Sequence, residues 1–196
     1  MKKYLTAVAI ATTFLMSPIA NAALTVYNAP ATASPFTFLV SSGSITLTYS
    51  GGAAVSQIAA GPQLAGGQSY NNVGDVIEDT FGLPANTFAP EATLSGTFKV
   101  DSLGDVPSTI VTTTIPYDYL AFHLGKYSVF FHFATTVAAN TNFNLAVTKE
   151  QGTQGGGLSN WRAYNSGVSE VPVPAALFLF APALLGFLGL RRKTKS

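Results

Sequence analysis

Cysteine is absent from the 196 residues. Disulfide bonds, thiolate metal sites and cysteine nucleophiles are therefore excluded, and any folded part of the chain depends on packing alone. Charge is scarce too. Asp, Glu, Lys and Arg make up 10% of the sequence, while Gly, Ser, Thr and Ala are abundant, a composition that suits an extracellular β-rich protein better than a cytosolic enzyme. Lys2, Lys3, Arg191, Arg192, Lys193 and Lys195 are six of the ten basic residues, and residues 23–170 keep four against nine acidic ones, a net charge of −5. An acidic body with scattered cations has no electrostatic footprint for nucleic acid. Local signatures of catalysis are missing as well. There is no G-x-S-x-G elbow and no H-E-x-x-H, and the Gly-rich run 151–157 lacks the G-K-[ST] ending of a phosphate loop. The expectation is a protein with no catalytic residues, no cofactor and no metal. Paired carboxylates, or a serine brought to a histidine by the fold, carry no local motif and stay open at this point.

What the chain does contain begins with Met1-Lys2-Lys3, an apolar stretch over 4–16, and small residues at Ala20 and Ala22 that form an A-x-A cleavage site. This predicts a secretory signal peptide over 1–22, removed by signal peptidase after Ala22. The apolar stretch is short for a membrane span and is followed by Pro18.

At the other end, residues 171–190 carry no charge, and then Arg191, Arg192 and Lys193 arrive together, the pattern of a span stopped by a basic anchor. Pro172 and Pro174 make the start extended. A helix is left over 175–190, roughly 24 Å long at ~1.5 Å per residue against a hydrocarbon core of ~30 Å. Pro182, Gly186 and Gly189 loosen it further, so the segment reads as one to be held briefly and handed on. The motif Val171-Pro172-Val173-Pro174-Ala175, the apolar helix and the basic end over 191–195, in that order, resemble the PEP-CTERM sorting signal. Val173 stands where the usual motif has Glu, which makes this the V-P-x-P-A variant. The resemblance implies recognition by a membrane-embedded exosortase and transient anchoring in the cytoplasmic membrane. It also implies delivery to the cell envelope, surface or extracellular matrix, with exopolysaccharide as a partner there. The tail of a sortase substrate would need L-P-x-T-G, which the sequence lacks.

Between these ends, residues 23–167 form one expected exported domain, with 168–196 as linker and sorting signal. Thr, Val, Phe and Tyr recur in short runs punctuated by Gly, Pro, Asn and Ser. Strands are predicted over 24–27, 36–40, 44–49, 92–100, 109–115, 118–124, 127–134, 142–148 and 158–164, with 51–67 as loop or one weak turn of helix and no helix of sustained period. Nine short strands point to an all-β fold, an antiparallel β-sandwich or jelly roll. Gly125-Lys126 suits a two-residue hairpin, which pairs Leu124 with Tyr127, Phe122 with Val129, Leu120 with Phe131 and Asp118 with Phe133. One face of that hairpin is apolar. The other, with Tyr119, Ala121, His123, Ser128, Phe130 and His132, reads as a mixed face for solvent or a shallow binding platform.

In this register His123 and His132 share a face four rungs apart, about 14 Å at ~3.4 Å per residue, too far to share one metal ion. Asn71, Asn72, Asp75, Glu78 and Asp79 form an acidic loop without the spacing of a calcium-binding loop. Trp161, Tyr164, Tyr117 and Tyr119 are candidates for stacking on sugar rings, with core packing as the alternative. The patterns Y-D-Y-L-x-F-H-x-G from Tyr117 and G-L-S-N-W-R-x-Y-N over 157–165 resemble segments that recur ahead of the tail in PEP-CTERM proteins. They imply a family-typical exported β-domain without a defined activity. The function expected is that of a non-catalytic envelope or matrix protein; the alternative is a lectin-like module on the cell surface.

Overall fold

The computed structural model of the chain describes residues 24–29, 32–64, 67–150 and 157–167. The expected signal peptide, with Ala20 and Ala22, lies outside the described residues. So does the sorting signal, with Val171 to Ala175 and Arg191, Arg192 and Lys193. Within them run β1 (Thr25–Asn28), β2 (Phe36–Val40), β3 (Gly43–Gly51), β4 (Val55–Pro62), α1 (Tyr70–Phe81), β5 (Lys99–Val100), β6 (Ser108–Val111), β7 (Tyr117–Leu124), β8 (Tyr127–Val137), β9 (Phe143–Lys149) and β10 (Asn160–Tyr164). They form two antiparallel sheets. Sheet A has the order β1-β4-β8-β7-β10-β5 and sheet B the order β2-β3-β9-β6, an arrangement consistent with a β-sandwich.

Alternation along the strands explains how the sheets meet. Phe36, Phe38, Ile45, Leu47, Leu145 and Val147 of sheet B and Ile58, Leu120, Phe122, Phe131 and Phe133 of sheet A fall on inward positions and join one buried cluster. Phe143 of β9 makes edge-to-face contacts with Phe131 at 5.3 Å and Phe133 at 5.4 Å, ring centre to ring centre, and so ties one sheet to the other.

The β7–β8 hairpin turns at Gly125, whose φ of 63° suits a residue without Cβ. Leu124–Tyr127, Phe122–Val129 and Leu120–Phe131 pair as the pattern predicts. Asp118 does not pair with Phe133. The register shifts between Tyr117 and Tyr119, and Tyr117 lies opposite Val137. The irregularity frees Asp118 to accept hydrogen bonds from the backbone N–H of Ser166, at 2.9 Å, and from the Ser166 hydroxyl.

Three stretches differ from expectation. Residues 51–67 hold β4, whose V-S-Q-I-A-A-G-P sequence is poor in large residues because both of its faces are covered: Ile58 and Ala60 lie in the core between the sheets, Ala59 in a second core. The strand expected over 92–100 shrinks to Lys99–Val100, preceded by a 3₁₀ turn at Glu91–Thr93. Residues 70–81 are a helix. The Ser69 hydroxyl accepts from the Asn72 N–H at 3.3 Å, Gly82 ends the helix in the left-handed region, and Tyr70, Val73, Gly74 and Ile77 form its buried stripe.

That helix overturns the reading of the hairpin's second face. Tyr119, Ala121 and Phe130 are buried with Tyr70, Val73, Ile77, Phe88, Phe98 and Tyr164 in the second core. The centre of sheet A is therefore apolar on both sides, and the face is neither a solvent face nor an open platform.

Trp161 pairs with Phe122 and Val100 and is 2% exposed. Trp161→Ala is predicted to cost ~3–5 kcal/mol by leaving a cavity in the core between the sheets. Urea unfolding of the purified chain checks this; a loss of under about 0.5 kcal/mol, the range of an ordinary surface substitution, contradicts it.

Candidate functional site

β10 pairs with β7 in the register Asn160–His123, Trp161–Phe122, Arg162–Ala121, Ala163–Leu120 and Tyr164–Tyr119. The two sequence patterns singled out from Tyr117 and Gly157 thus become neighbouring strands, and Asp118 in the first bonds Ser166 just after the second. This seam gathers most of the chemistry-bearing side chains that the sequence pointed to.

Its aromatic residues are turned into the protein. Tyr117, Tyr119, Trp161 and Tyr164 are all buried, and a stacking role needs an open ring face. Their rings meet protein instead. Tyr164 stacks on Tyr70 at 4.3 Å, the Tyr164 hydroxyl donates to the Tyr70 carbonyl at 2.8 Å, and the Tyr70 hydroxyl donates to the Ala163 carbonyl at 2.9 Å. Tyr119 lies flat on His132 at 4.5 Å, and Tyr117 meets Phe133 edge-on at 5.5 Å. Burial pushes the Tyr117 phenol up to about 12 and raises Tyr164 well above the usual tyrosine range, so both stay neutral.

Two polar knots lie on the α1 side of sheet A. In the first, buried Arg162 donates to Asn160 Oδ1 at 2.6 Å and Asp101 Oδ1 at 3.1 Å, and Lys99 binds Asp101 at 2.7 Å and Glu91 at 2.6 Å. Beside it, His123 Nδ1 lies 2.8 Å from Ser159 Oγ, whose hydroxyl donates to the His123 carbonyl at 3.0 Å. The same carbonyl accepts the Ser159 N–H at 2.9 Å, so Ser159 holds both the backbone and the ring of His123. Burial, reinforced by the Arg162 charge, holds His123 below its usual pKa and keeps the ring neutral. Arg162 Nε, His123 Nε2 and Ser128 Oγ are wholly buried without a hydrogen-bond partner among the described residues.

The second knot repeats the wiring. His132 Nδ1 lies 3.1 Å from Ser56 Oγ and 3.0 Å from Gln57 Oε1, and the Ser56 hydroxyl donates to the His132 carbonyl at 3.1 Å. In both pairs the serine Oγ lies within hydrogen-bond reach of the imidazole Nδ1 and of that histidine's own carbonyl, and so holds the ring against the neighbouring strand or segment. The histidines stand opposite Ser128 and Tyr119, as the hairpin register predicts. Among the described residues, no group of three or more His, Asp or Glu side chains is placed to hold a metal ion.

The acidic loop proves to be the surface of α1, and its members are not gathered around one point. Glu78 turns inward and accepts the N–H groups of Asn86 at 2.9 Å and Phe88 at 3.0 Å, and Asn71 Oδ1 accepts the Glu91 N–H at 3.0 Å. These contacts pin the segment after α1 against the helix. Gly74 permits the close approach beneath: a Cβ there would come within 3.2 Å of the Tyr164 ring.

Among the openings at the described residues, a space of about 90 Å³ touches Asp118, Tyr119, His132 and Ser166. A cleft of about 250 Å³ lies beside Asn71, Asp75 and Pro90. A trough of about 510 Å³ lies on sheet B, lined by Thr48, Ser50, Ser108, Ile110, Asn144 and Ala146. Sequence reasoning passed over these six. Their signal is the alternation Ile45-Thr46-Leu47-Thr48-Tyr49-Ser50, which places hydroxyl groups on one face of β3. Comparisons with known protein families, curated proteins and solved structures give no match to this chain.

Burial raises the Asp118 carboxyl above its ordinary 3.8, against the opposing hydrogen bonds from Ser166. The folded state therefore holds this proton more tightly than the unfolded one, and the group's contribution to stability falls as pH rises from about 3.8 through the raised native value. Asp118→Asn, which keeps the shape, is predicted to lessen the fall in melting temperature across that window. Superimposable curves of stability against pH for the two proteins contradict the prediction.

Proposed function

We propose that this chain is an exported, non-catalytic β-sandwich protein of the cell envelope or extracellular matrix, associated with exopolysaccharide and sorted by an exosortase-type C-terminal signal. The observation that carries this reading is the order of Val171-Pro172-Val173-Pro174-Ala175, an uncharged stretch over 175–190, and Arg191-Arg192-Lys193. Signal peptidase acts after Ala22. The helix over 175–190 holds the chain in the cytoplasmic membrane with its basic end inside, and exosortase acts near Pro174.

The described body supports a role without chemistry in two ways. Its histidines, buried arginine and inward carboxylates are tied into strand-to-strand and helix-to-loop hydrogen bonds. Its serine–histidine pairs lie between neighbouring segments of sheet A, each serine bridging an imidazole and that histidine's own carbonyl. The lectin-like alternative loses the aromatic platform first expected for it and keeps the trough on sheet B as its one favourable feature.

Intact-mass spectrometry of the surface-associated protein tests the route. The predicted species starts at Ala23, ends near Pro174 and is absent from a host lacking exosortase. Replacing Arg191, Arg192 and Lys193 by Gln is predicted to impair retention and processing. Surface protein that still carries Arg191 to Lys195 contradicts the reading.

A further inference from the structure

We infer that the outer face of sheet B is a binding groove for a linear, uncharged, hydroxyl-rich glycan lying across β3, β9 and β6. The inference rests on the matrix association proposed above and names the surface and the ligand class.

The face is built by register. Thr48, Ala146 and Ser108 form one cross-strand row, and Ser50, Asn144 and Ile110 form the next. Thr46, flanked by Thr37 and Thr148, lies on the other side. The methyl of Ala146 makes the middle of the first row low, and a trough of about 510 Å³ results, within the range of small-ligand sites, roughly 300–1,000 Å³. It crosses three strands, about 10 Å at ~4.8 Å per strand, before the flanking side chains extend it. Nothing among the described residues covers this face, in contrast to the α1 side of sheet A.

Its chemistry selects the ligand. None of the nine residues in these rows is charged, so a uronate or sulfated chain would bring buried charge without a partner. The side chains of Thr48, Ser50, Ser108 and Asn144 are donors and acceptors of the kind that sugar hydroxyls pair with. Ile110, 61% exposed, offers an apolar contact for the C–H face of a ring. A second copy of the chain fits less well. The exposed apolar residues Leu39 and Ile110 stand on β2 and β6, the opposite edges of the sheet, so no continuous apolar centre exists for a protein interface. Two-fold pairing would also set trough against trough.

The test uses the full-length chain in detergent and the producing organism's own exopolysaccharide, divided by anion exchange into neutral and acidic fractions, with binding read on a biosensor. The wild type is expected to bind the neutral fraction, and Ala146→Arg to weaken binding about ten-fold or more with an unchanged melting temperature. Ser108→Arg, on an edge strand, is expected to act likewise should the first variant misfold. Leu39→Lys, on the same face outside the trough, is expected to leave binding intact. The inference is overturned by wild type that ignores the neutral fraction or prefers the acidic one. Arginine variants that bind normally also overturn it, as does a concentration-dependent dimer that Ala146→Arg abolishes. Mass analysis of the C-terminus is independent of all these readouts, so a failed groove with correct tail processing leaves the sorting proposal standing.

Discussion

The strands at the centre of sheet A are apolar on both faces, and the rest of the described structure follows from covering them. Phe122 and Phe131 of β7 and β8 point one way, Tyr119, Ala121 and Phe130 the other. A sheet of this kind is stable in water only with a layer on each side. Sheet B supplies one, locked on by Phe143 against Phe131 and Phe133. Helix α1 with the segment up to Phe98 supplies the other, locked on by Tyr70 and Tyr164, each of which bonds a carbonyl on the other's side of the interface.

The second cover restricts where function can lie. Glu78 bonds two backbone N–H groups and Gly74 lets the helix lie close over Tyr164, so the α1 side is closed by specific polar contacts as well as by apolar area. Asn160 and Arg162 of the β7–β10 seam are buried on that side, while Asp118, His132 and Ser166 border a space of about 90 Å³. Hydrogen bonds of the seam tie β7 to the segments on either side of β10. Among the described residues, none covers the outer side of sheet B in this way, and its Thr48, Ser50 and Ser108 side chains are exposed.

Much of this was legible in the residues, and the failures have physical causes. Hairpin register could be read because Gly125-Lys126 permits one tight turn and the aromatic alternation fits one pairing. The break at Asp118 could not, because it depends on Ser166, 48 positions away. Helix α1 carried readable signs in Ser69, Gly82 and the Tyr70-Val73-Ile77 spacing, obscured by Gly74 and by the Asn and Asp residues that favour turns. β4 hid behind small side chains whose reason is the helix above them. The burial of Trp161 and Tyr164 follows from strand alternation, but only once both faces of the sheet are known to be covered; the sequence alone left packing and display as rivals.

That the aromatic seam is closed core rather than a display surface is the claim on which the account turns, and the chain's single tryptophan allows a direct check. Iodide is charged and quenches only indole that solvent can reach. The account predicts that Trp161 fluorescence in the folded chain is nearly immune to iodide and becomes quenchable when urea unfolds the protein. Equal quenching in the folded and unfolded chain would contradict it.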